Sequence, residues 1–250
     1  MPWTETTRPH DARRGRRSTS DLTDAEGALV AGVLPVPKQT GRPRTTELRD
    51  GLDAMLSRAA SGCQWAMLPK DFPPPSTVQR SFYDWRDRGV LQTINPPRDG
   101  SPRGRPRGFD AGQKVKGRKR PIITDTLGLL VGLVVQAADR QDRDGAPKLL
   151  RSIRHAAPWL RHIFADGSSA GPKLKGVSET IGCWTLEIVK RSDAALGFEV
   201  LPRRWVIERT FAWLGRCRRL AKDGETSLAS AEAWILIAHI RLVTRRLARA

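Results

Sequence analysis

One carboxylate lies inside an arginine-rich stretch of the chain, "RRWVIERTFAWLGRCRRL" at residues 203–220. If this stretch is a helix, Glu208 can pair with Arg204 one turn away, which stabilises a helix by only about 0.3 kcal/mol. Alternatively, Glu208 binds a cation while the arginines hold a polyanion. The small residues Ala212 and Gly215 share its helical face and leave room for a ligand, which favours the second interpretation.

A second carboxylate, Asp166, ends the apolar part of "LRHIFADGS" at residues 160–168, which predicts a short buried strand. Open α/β sheets build their sites where strands end. Carboxylates that converge from separate elements amid positive charge suit Mg²⁺-dependent phosphoryl transfer. Mg²⁺ prefers oxygen ligands, and two such ions can stabilise both the attacking and the leaving oxygen. Asp166 and Glu208 are therefore candidates for this chemistry.

The chain carries a large excess of positive charge. It has 44 Lys and Arg against 26 Asp and Glu, a net charge of +18, and an isoelectric point near 11.1. A field of this sign attracts phosphate backbones, so nucleic acid is the first candidate partner and an anionic membrane the second. The run "KVKGRKR" indicates either phosphate contact or a solvated strand start. The residues predicted to contact nucleic acid are Lys114, Lys116, Arg118, Lys119, Arg204 and Arg219.

A membrane partner and a secretory route are both disfavoured. The most apolar stretches, at 127–138 and 233–240, are too short to span a bilayer. The first residues contain no apolar segment, which predicts no signal peptide. Cys63, Cys183 and Cys217 lie far apart, without metal-ligand spacing, and are expected to be reduced thiols. These features predict a cytoplasmic protein.

Composition divides the chain into four parts. Residues 1–40 are basic and dotted with proline, and are predicted to be flexible apart from a short helix near 22–34. Residues 41–94 predict two amphipathic helices joined by a turn, either a helix-turn-helix-like module or a helical cap without DNA contact. Residues 95–118 form a basic linker rich in proline and glycine. Residues 119–250 have an α/β pattern.

Apolar spacing defines the two helices of the second part. The first follows a 3.6-residue period and should end at Gly62. Its periodic residues are Leu48, Leu52, Met55, Leu56 and Ala59. The second helix is predicted to have Ser76 as its N-cap and a buried stripe of Val78, Phe82 and Trp85.

The last part predicts a hairpin followed by helix, strand, helix, strand and helix, which is typical of an α/β layer fold. The hairpin has a tight turn at Asp125–Gly128. The predicted ranges are 119–137 for the hairpin, 144–156, 170–179, 203–220 and 228–248 for helices, and 160–168, 184–191 and 198–202 for strands. The helix at 203–220 is expected to bury Ile207, Phe211, Leu214, Cys217 and Ala221.

Several long motifs stand in a recognisable order: "GFDAGQKVKGRKRPIITDTLGLLVGLVVQAADRQDRDGA", "FADG" and "LPRRWVIERTFAWLGRCRRLAKD". They resemble insertion-sequence transposases of the ribonuclease-H-like D-D-E superfamily, in the insertion sequence five group. The segment "GRPR" and "GCQWAMLPKDFPPPSTVQRSFYDWRDRG" resembles that group's N-terminal helical domain. The resemblance covers roughly residues 41–225. It implies a mixed sheet with flanking helices, binding of double-stranded DNA at element ends, and Mg²⁺- or Mn²⁺-dependent cleavage and strand transfer.

The resemblance assigns roles to two residues. Asp166 matches the second aspartate of the family's catalytic triad. Glu208 matches the glutamate of its R-x-x-x-E signature, which begins here at Arg204. The resemblance therefore implies that both are catalytic residues and metal ligands, and we expect their side chains to face one cleft.

The family's first catalytic strand has no counterpart, which indicates an internal deletion. The strand and its aspartate should precede "FDAGQKVKGRKR", but that place holds "VLQTINPPRDGSPRGRPRG". In the ribonuclease-H fold this strand is central, so its loss removes a ligand and leaves strand edges without ladder partners. Asp125 is expected to cap its turn rather than to replace that ligand. Asp99 and Asp110 lie in the basic linker.

Three functional hypotheses stay open. The first is a D-D-E transposase, intact or degenerate, and the second is a catalytically inactive DNA-binding protein derived from one. The third is an unrelated RNA-binding protein, although the chain has few aromatic residues for base stacking. The oligomeric state stays open as well, and includes a homodimer on DNA.

Three arrangements of the sheet are also open. The hairpin can pair directly with the strand at 160–168, a substitute strand can come from residues 90–110, or the sheet stays open. Prolines in residues 90–110 remove amide donors and disfavour the substitute. We expect negligible Mg²⁺-dependent cleavage and marginal stability of the second domain.

Overall fold

The first elements of the chain are helices. The computed structural model describes residues 18–36, 44–94, 107–112, 114–154, 157–167, 171–181, 184–189 and 203–249. Its first helices are α1 at Asp24–Ala31, α2 at Leu48–Ser61, α3 at Pro75–Asp87 and α4 at Val90–Ile94. Helix α2 ends as predicted, because Gly62 adopts a left-handed φ of 73° that favours glycine. Helix α3 begins at Pro75 rather than after Ser76, and proline suits a first helical turn because its missing N–H would have no partner there.

The hairpin region forms an antiparallel meander of short strands: β1 (Gly108–Asp110), β2 (Val115–Lys119), β3 (Ile122–Thr124), β4 (Leu130–Leu133) and β5 (Gln136–Ala137). The predicted hairpin is confirmed, since β2 and β3 fold back on β5 and β4. Asp125 caps the turn, as expected. Its Oδ1 accepts hydrogen bonds from the N–H groups of Leu127 and Leu129 at 2.9 and 2.8 Å.

The rest of the described chain alternates helices and strands: α5 (Asp142–Ile153), β6 (His162–Asp166), α6 (Pro172–Ile181), β7 (Thr185–Val189), α7 (Arg204–Gly215) and α8 (Leu228–Leu247). Strands β6 and β7 are parallel, and their register pairs Asp166 with Val189. This order confirms the predicted helices and the strands predicted at 160–168 and 184–191, although the helix predicted at 203–220 ends at Gly215. The strand predicted at 198–202 lies outside the described residues.

The strands do not join into one sheet within the described residues. Strands β3 and β4 form one two-stranded sheet, and β6 and β7 form another. A short strand, β1, does form in residues 90–110, where the prolines disfavoured one. It begins after Pro106, so no proline lies within it. It pairs with β2 on the edge opposite β5. Strand β1 therefore pairs with β2 alone, and the structure describes no strand on the outer edge of β3 within its residues.

One hydrophobic core joins the N-terminal helices to α8. Trp234 and Ile237 of α8 belong to the same buried cluster as Phe82 and Trp85 of α3 and Leu133 of β4. The sequence assigned α8 to a separate second domain, but its apolar residues lie against the first helices. Periodicity shows that a helix has a buried face and does not identify the element that covers it.

The N-terminal segment 18–36 belongs to this body, whereas the sequence predicted flexible chain in residues 1–40 apart from a short helix. Leu22 is buried in the core, and its N–H donates to Asp53 Oδ1 at 2.9 Å. Thr23 and Glu26 form a reciprocal capping box that fixes the start of α1. The short helix predicted near 22–34 is confirmed as α1.

Two polar side chains of α8 hold the backbone of the hairpin. Glu232 Oε1 accepts a hydrogen bond from Val135 N at 2.9 Å, and His239 Nε2 accepts one from Leu130 N at 2.9 Å. Both side chains are buried. These N–H groups would otherwise be buried without partners, so α8 satisfies them in the way a neighbouring strand would.

His239 should make the protein less stable in acid. Burial lowers the pKa of His239 to about 4. In the unfolded chain the histidine pKa is about 6.5, so the unfolded chain binds more protons than the folded chain between about pH 4 and pH 6.5. Stability from neutral His239 is therefore complete above about pH 6.5 and is lost as the pH falls towards 4, by about 3 kcal/mol. Urea unfolding at pH 7 and pH 4 measures the difference. His239→Gln should reduce this difference in the free energy of unfolding between pH 7 and pH 4. The control His162→Gln, at an exposed histidine, should leave the difference unchanged.

Candidate functional site

Asp166 lies at the end of β6, on the wall of a cleft of about 590 Å³. Its side chain is exposed. We call this cavity the edge cleft, and its lining residues are Arg118, Lys119, Arg120, Pro121, Ile122, Ile123, Asp142, Ala146, Leu149, Leu150, Ile163, Phe164, Ala165, Asp166, Leu174, Leu186, Ile207 and Phe211. The cleft is apolar towards α5 and α6 and charged around Lys119 and Asp166.

Glu208 lies on α7, which borders the same cleft through Ile207 and Phe211. Its Oε1 accepts a hydrogen bond from Arg204 Nε at 3.0 Å, and both side chains are more than 60% exposed. Glu208 is not itself among the lining residues. The structure therefore shows the i,i+4 ion pair that was the simpler of the two interpretations of this helix.

Helix α7 is held against the strand that carries Asp166. The guanidinium of Arg203, just before α7, lies 3.9 Å from the centre of the Phe164 ring, two residues before Asp166.

Helix α7 also packs closely against the hairpin turn. At Gly128, φ is 81°, and an added Cβ would lie 2.8 Å from Thr210 Oγ1, so only glycine fits this contact.

The buried face of α7 differs from the predicted one by about one residue. Val206, Thr210 and Leu214 are buried, whereas Phe211 is 43% exposed. Thr210 is buried because its hydroxyl donates to the Gly128 carbonyl at 2.8 Å. A polar residue that is buried through a hydrogen bond is invisible to hydrophobic periodicity, which explains the shift.

The basic residues predicted to contact nucleic acid divide into two groups. Arg118 is almost fully buried and pairs with Asp223 at 2.8 Å, and Arg219 forms an ion pair with Glu225. Their charges are thus compensated within the protein. Lys114 and Lys116 are exposed on the β1–β2 hairpin, and Arg204 is exposed beside Glu208. Lys114 and Lys116 are therefore open to a polyanion, whereas the charge of Arg204 is shared with Glu208.

Lys119 belongs to the compensated group. Its Nζ lies 2.9 Å from Asp110 Oδ2 and 3.5 Å from Asp142 Oδ1. Burial acts to lower the pKa of Lys119, but the hydrogen bonds and opposite charges of these two carboxylates prevail and raise it. The sequence did not single out Asp142. Its place in the first turn of α5 gives no signal beyond the usual preference for acidic residues there.

The acidic residues that the structure describes do not fit a three-carboxylate magnesium site. In the part of the chain that the structure describes, no group of three or more His, Cys, Asp or Glu side chains could hold a metal ion. Asp142 and Asp166 line one cleft, but Lys119 already neutralises Asp142. Asp125 is used by its turn, and Asp99 lies outside the described residues. The donor set falls short of what two Mg²⁺ ions require.

Comparisons with known proteins give consistent matches. Residues 87–243, more than half of the chain, match the family model described as the transposase DDE domain. Residues 22–95 match the family model of IS4/5 family transposases. The uncharacterized protein y4sN of Sinorhizobium fredii is 33% identical over 73 residues, which cover 29% of this chain.

The match to the protein y4sN covers 58% of the length of that relative. No solved structure matches the chain. Over the described residues, no helix has the length and apolar character needed to cross a membrane.

Proposed function

This chain belongs to the DDE transposases of the IS4/5 type, and on that premise we propose that it binds the duplex DNA of element ends without cleaving it. The binding surface is the β1–β2 hairpin, which carries Lys114 and Lys116. The protein would act in the bacterial cytoplasm as a DNA-binding descendant of an Mg²⁺-dependent transposase. The alternative is an active transposase, in which Asp166 and Glu208 remain catalytic.

The shape and charge of the β1–β2 hairpin carry the proposal. Lys114 and Lys116 are exposed, and Phe109 and Val115 beside them are each 56% exposed. A two-stranded ribbon of this kind is narrow enough to enter a DNA groove. Its lysines would contact phosphates, while the apolar side chains would lie against the sugars.

The loss of cleavage is supported by the surroundings of the two candidate catalytic carboxylates. Glu208 is paired with Arg204, and Asp166 shares its cleft with Lys119, which neutralises two further carboxylates. Phosphoryl transfer through two metal ions needs a set of converging carboxylates, and the described residues include no group of three that could hold a metal ion. This arrangement favours binding to the DNA backbone over chemistry on it.

DNA binding should weaken steeply with salt. We expect the logarithm of affinity for a duplex to fall linearly with the logarithm of salt concentration, because each phosphate contact releases counterions. Replacing both Lys114 and Lys116 with alanine should reduce the magnitude of that slope by about 2. Fluorescence anisotropy with a labelled duplex of element-end sequence measures both quantities.

The matched control removes the same charge elsewhere. Lys70→Ala with Lys148→Ala also lowers the net charge by two, at exposed positions outside the hairpin. This control should leave the slope within experimental error of the parent. Equal slopes for both double variants would assign binding to overall charge rather than to the hairpin, and a parent slope near zero would exclude electrostatic DNA binding altogether.

A further inference from the structure

The β1–β2 hairpin has little strand pairing to the rest of the protein. Among the described residues, β1 pairs only with β2, and β2 joins β5 through Arg118 and Lys119 alone. A two-stranded hairpin is by itself only marginally stable in water. Contacts outside the sheet are therefore needed to fix the direction in which the hairpin presents Lys114 and Lys116.

Such contacts come from residues 223–226, which we call the anchor loop. Two arginines at the base of the hairpin converge on its one aspartate, Asp223. Arg118 donates a hydrogen bond to Asp223 Oδ1 at 2.8 Å, and Arg107 Nε lies 3.6 Å from Asp223 Oδ2. Because Arg107 precedes β1 and Arg118 lies on β2, this carboxylate joins both strands of the hairpin to the loop.

Backbone carbonyls of the anchor loop complete the attachment. Arg118 also donates to the carbonyls of Glu225 and Thr226, at 2.8 and 3.3 Å. Arg107 donates to the carbonyl of Asp223 at 2.6 Å. The Arg118 side chain is 1% exposed, and hydrogen bonds from a charged donor are stronger where water is excluded. The attachment through Arg118 is therefore firmer than an exposed ion pair would be.

The anchor loop is itself fixed to the helical core. Glu225 forms an ion pair with Arg219, whose guanidinium lies 5.6 Å from the centre of the buried Trp234 ring. Just before the loop, the chain packs against the end of α2, where a Cβ added at Gly62 would lie 3.2 Å from Arg218 Cβ. The contacts thus run from the core through the anchor loop to the hairpin, so the core sets the direction of the hairpin.

We propose that Asp223 is a positioning residue for DNA binding, which fixes the β1–β2 hairpin so that Lys114 and Lys116 meet a duplex together. This inference rests on the proposed function and adds a residue outside the hairpin that orients its binding surface. A surface held in its bound orientation loses less conformational freedom on binding and therefore binds more tightly. Asp223 thus strengthens binding of a polyanion, although its own charge repels one.

The substitution Asp223→Asn tests this role by the sign of its effect. It raises the net charge by one, so a purely electrostatic effect would strengthen DNA binding. We expect instead at least fivefold lower affinity for a duplex of element-end sequence, measured by fluorescence anisotropy at fixed salt. The dependence of affinity on salt should approach that of the variant with alanine at Lys114 and Lys116.

The matched control is Asp24→Asn. It makes the same change of charge and also removes an aspartate that pairs with an arginine, Arg49, at 2.8 Å, but it lies on α1, outside the hairpin. We expect this variant to bind the duplex at least as tightly as the parent. Circular dichroism establishes that each variant is folded.

A double-variant cycle shows whether Asp223 acts through the hairpin lysines. In the protein with both Lys114→Ala and Lys116→Ala, Asp223→Asn should change affinity by less than twofold, because the lysines that it orients are absent. Hydrogen exchange gives a second measurement, without DNA. The amides of β2 should exchange at least tenfold faster in Asp223→Asn, while those of α2 stay unchanged.

Arg107→Met provides the same test through the other partner, and serves if Asp223→Asn does not fold. Arg107 is 46% exposed, and its loss leaves the buried pair of Arg118 and Asp223 in place. We expect at least fivefold weaker binding in the parent and less than twofold in the protein without the hairpin lysines. The control is Arg88→Met, since Arg88 is 50% exposed and pairs with an aspartate on α3, and it should weaken binding by less than twofold.

The outcomes separate this inference from the proposed function. A parent that does not bind duplex DNA would overturn both. Binding by the parent that is unchanged or stronger in Asp223→Asn would overturn the positioning role alone. Equal weakening with and without the hairpin lysines would also overturn it, because Asp223 would then act elsewhere than on the hairpin.

Discussion

Trp234→Ala should lower the free energy of unfolding by about 3–5 kcal/mol, the range for removing a large aromatic side chain from a packed core. Trp234 is 1% exposed. Its ring stacks on Phe82 with centroids 4.6 Å apart and contacts Trp65 at 5.8 Å, and the guanidinium of Arg58 lies 4.7 Å from its centre. The substitution would leave a cavity where α8 meets α3, so we expect a loss of stability that affects the whole described body.

Urea unfolding measures this loss, as a lower midpoint at unchanged slope. Trp159→Ala is the matched control, because Trp159 is 59% exposed and should change stability by less than about 0.5 kcal/mol. Trp234→Phe should cost much less than Trp234→Ala, since it keeps the aromatic contact and removes a buried indole N–H that has no hydrogen-bond partner among the described residues. A loss below about 1 kcal/mol for Trp234→Ala would show that α8 does not hold the N-terminal helices.

Cleavage of DNA that carries element ends should stay at background with either Mg²⁺ or Mn²⁺. The physical reason is the donor set: the described residues include no group of three that could hold a metal ion, and Asp142, which shares the cleft with Asp166, is paired with Lys119. Two carboxylates hold a pair of hard cations poorly. Nicking of a supercoiled plasmid measures the reaction, and an intact relative with all three carboxylates is the positive control.

The variants Asp166→Ala and Glu208→Ala make this prediction decisive. We expect both to match the parent in nicking and in DNA affinity, since neither carboxylate would serve catalysis and neither lies on the β1–β2 hairpin. Robust cleavage that disappears in Glu208→Ala would restore the active transposase and would require Asp110, Asp125 or Asp142 to be the third ligand. Binding of duplex DNA with no cleavage in any variant would support the proposed function.

The sequence predicted best those elements whose formation depends on near neighbours. Helix α2 and its end at Gly62 follow from apolar spacing and from glycine's tolerance of a left-handed backbone. The hairpin turn follows from Asp125, which bonds to N–H groups only two and four residues away. Such contacts join residues that lie only a few positions apart in the sequence.

The sequence was less informative where contacts between distant segments decide which side chains are already paired. Arg118 lies in a basic run that indicated phosphate contact, but it is buried against Asp223, about a hundred residues later. Lys119 is likewise neutralised by Asp110 and Asp142. Charge counting along the sequence treats every lysine and arginine as available to a partner. Only tertiary structure shows which of them are already paired, and it leaves the exposed hairpin lysines as the best candidates.

The position of α8 along the chain has a consequence for how the protein is made. Helix α8 completes the core of α2 and α3, yet about 160 residues separate the end of α3 from the end of α8. At about 5–20 residues per second, a ribosome needs roughly 10–30 s to add them. During that interval Phe82 and Trp85 cannot be covered by their final partner, so the nascent chain presents an apolar helical surface that invites chaperone binding.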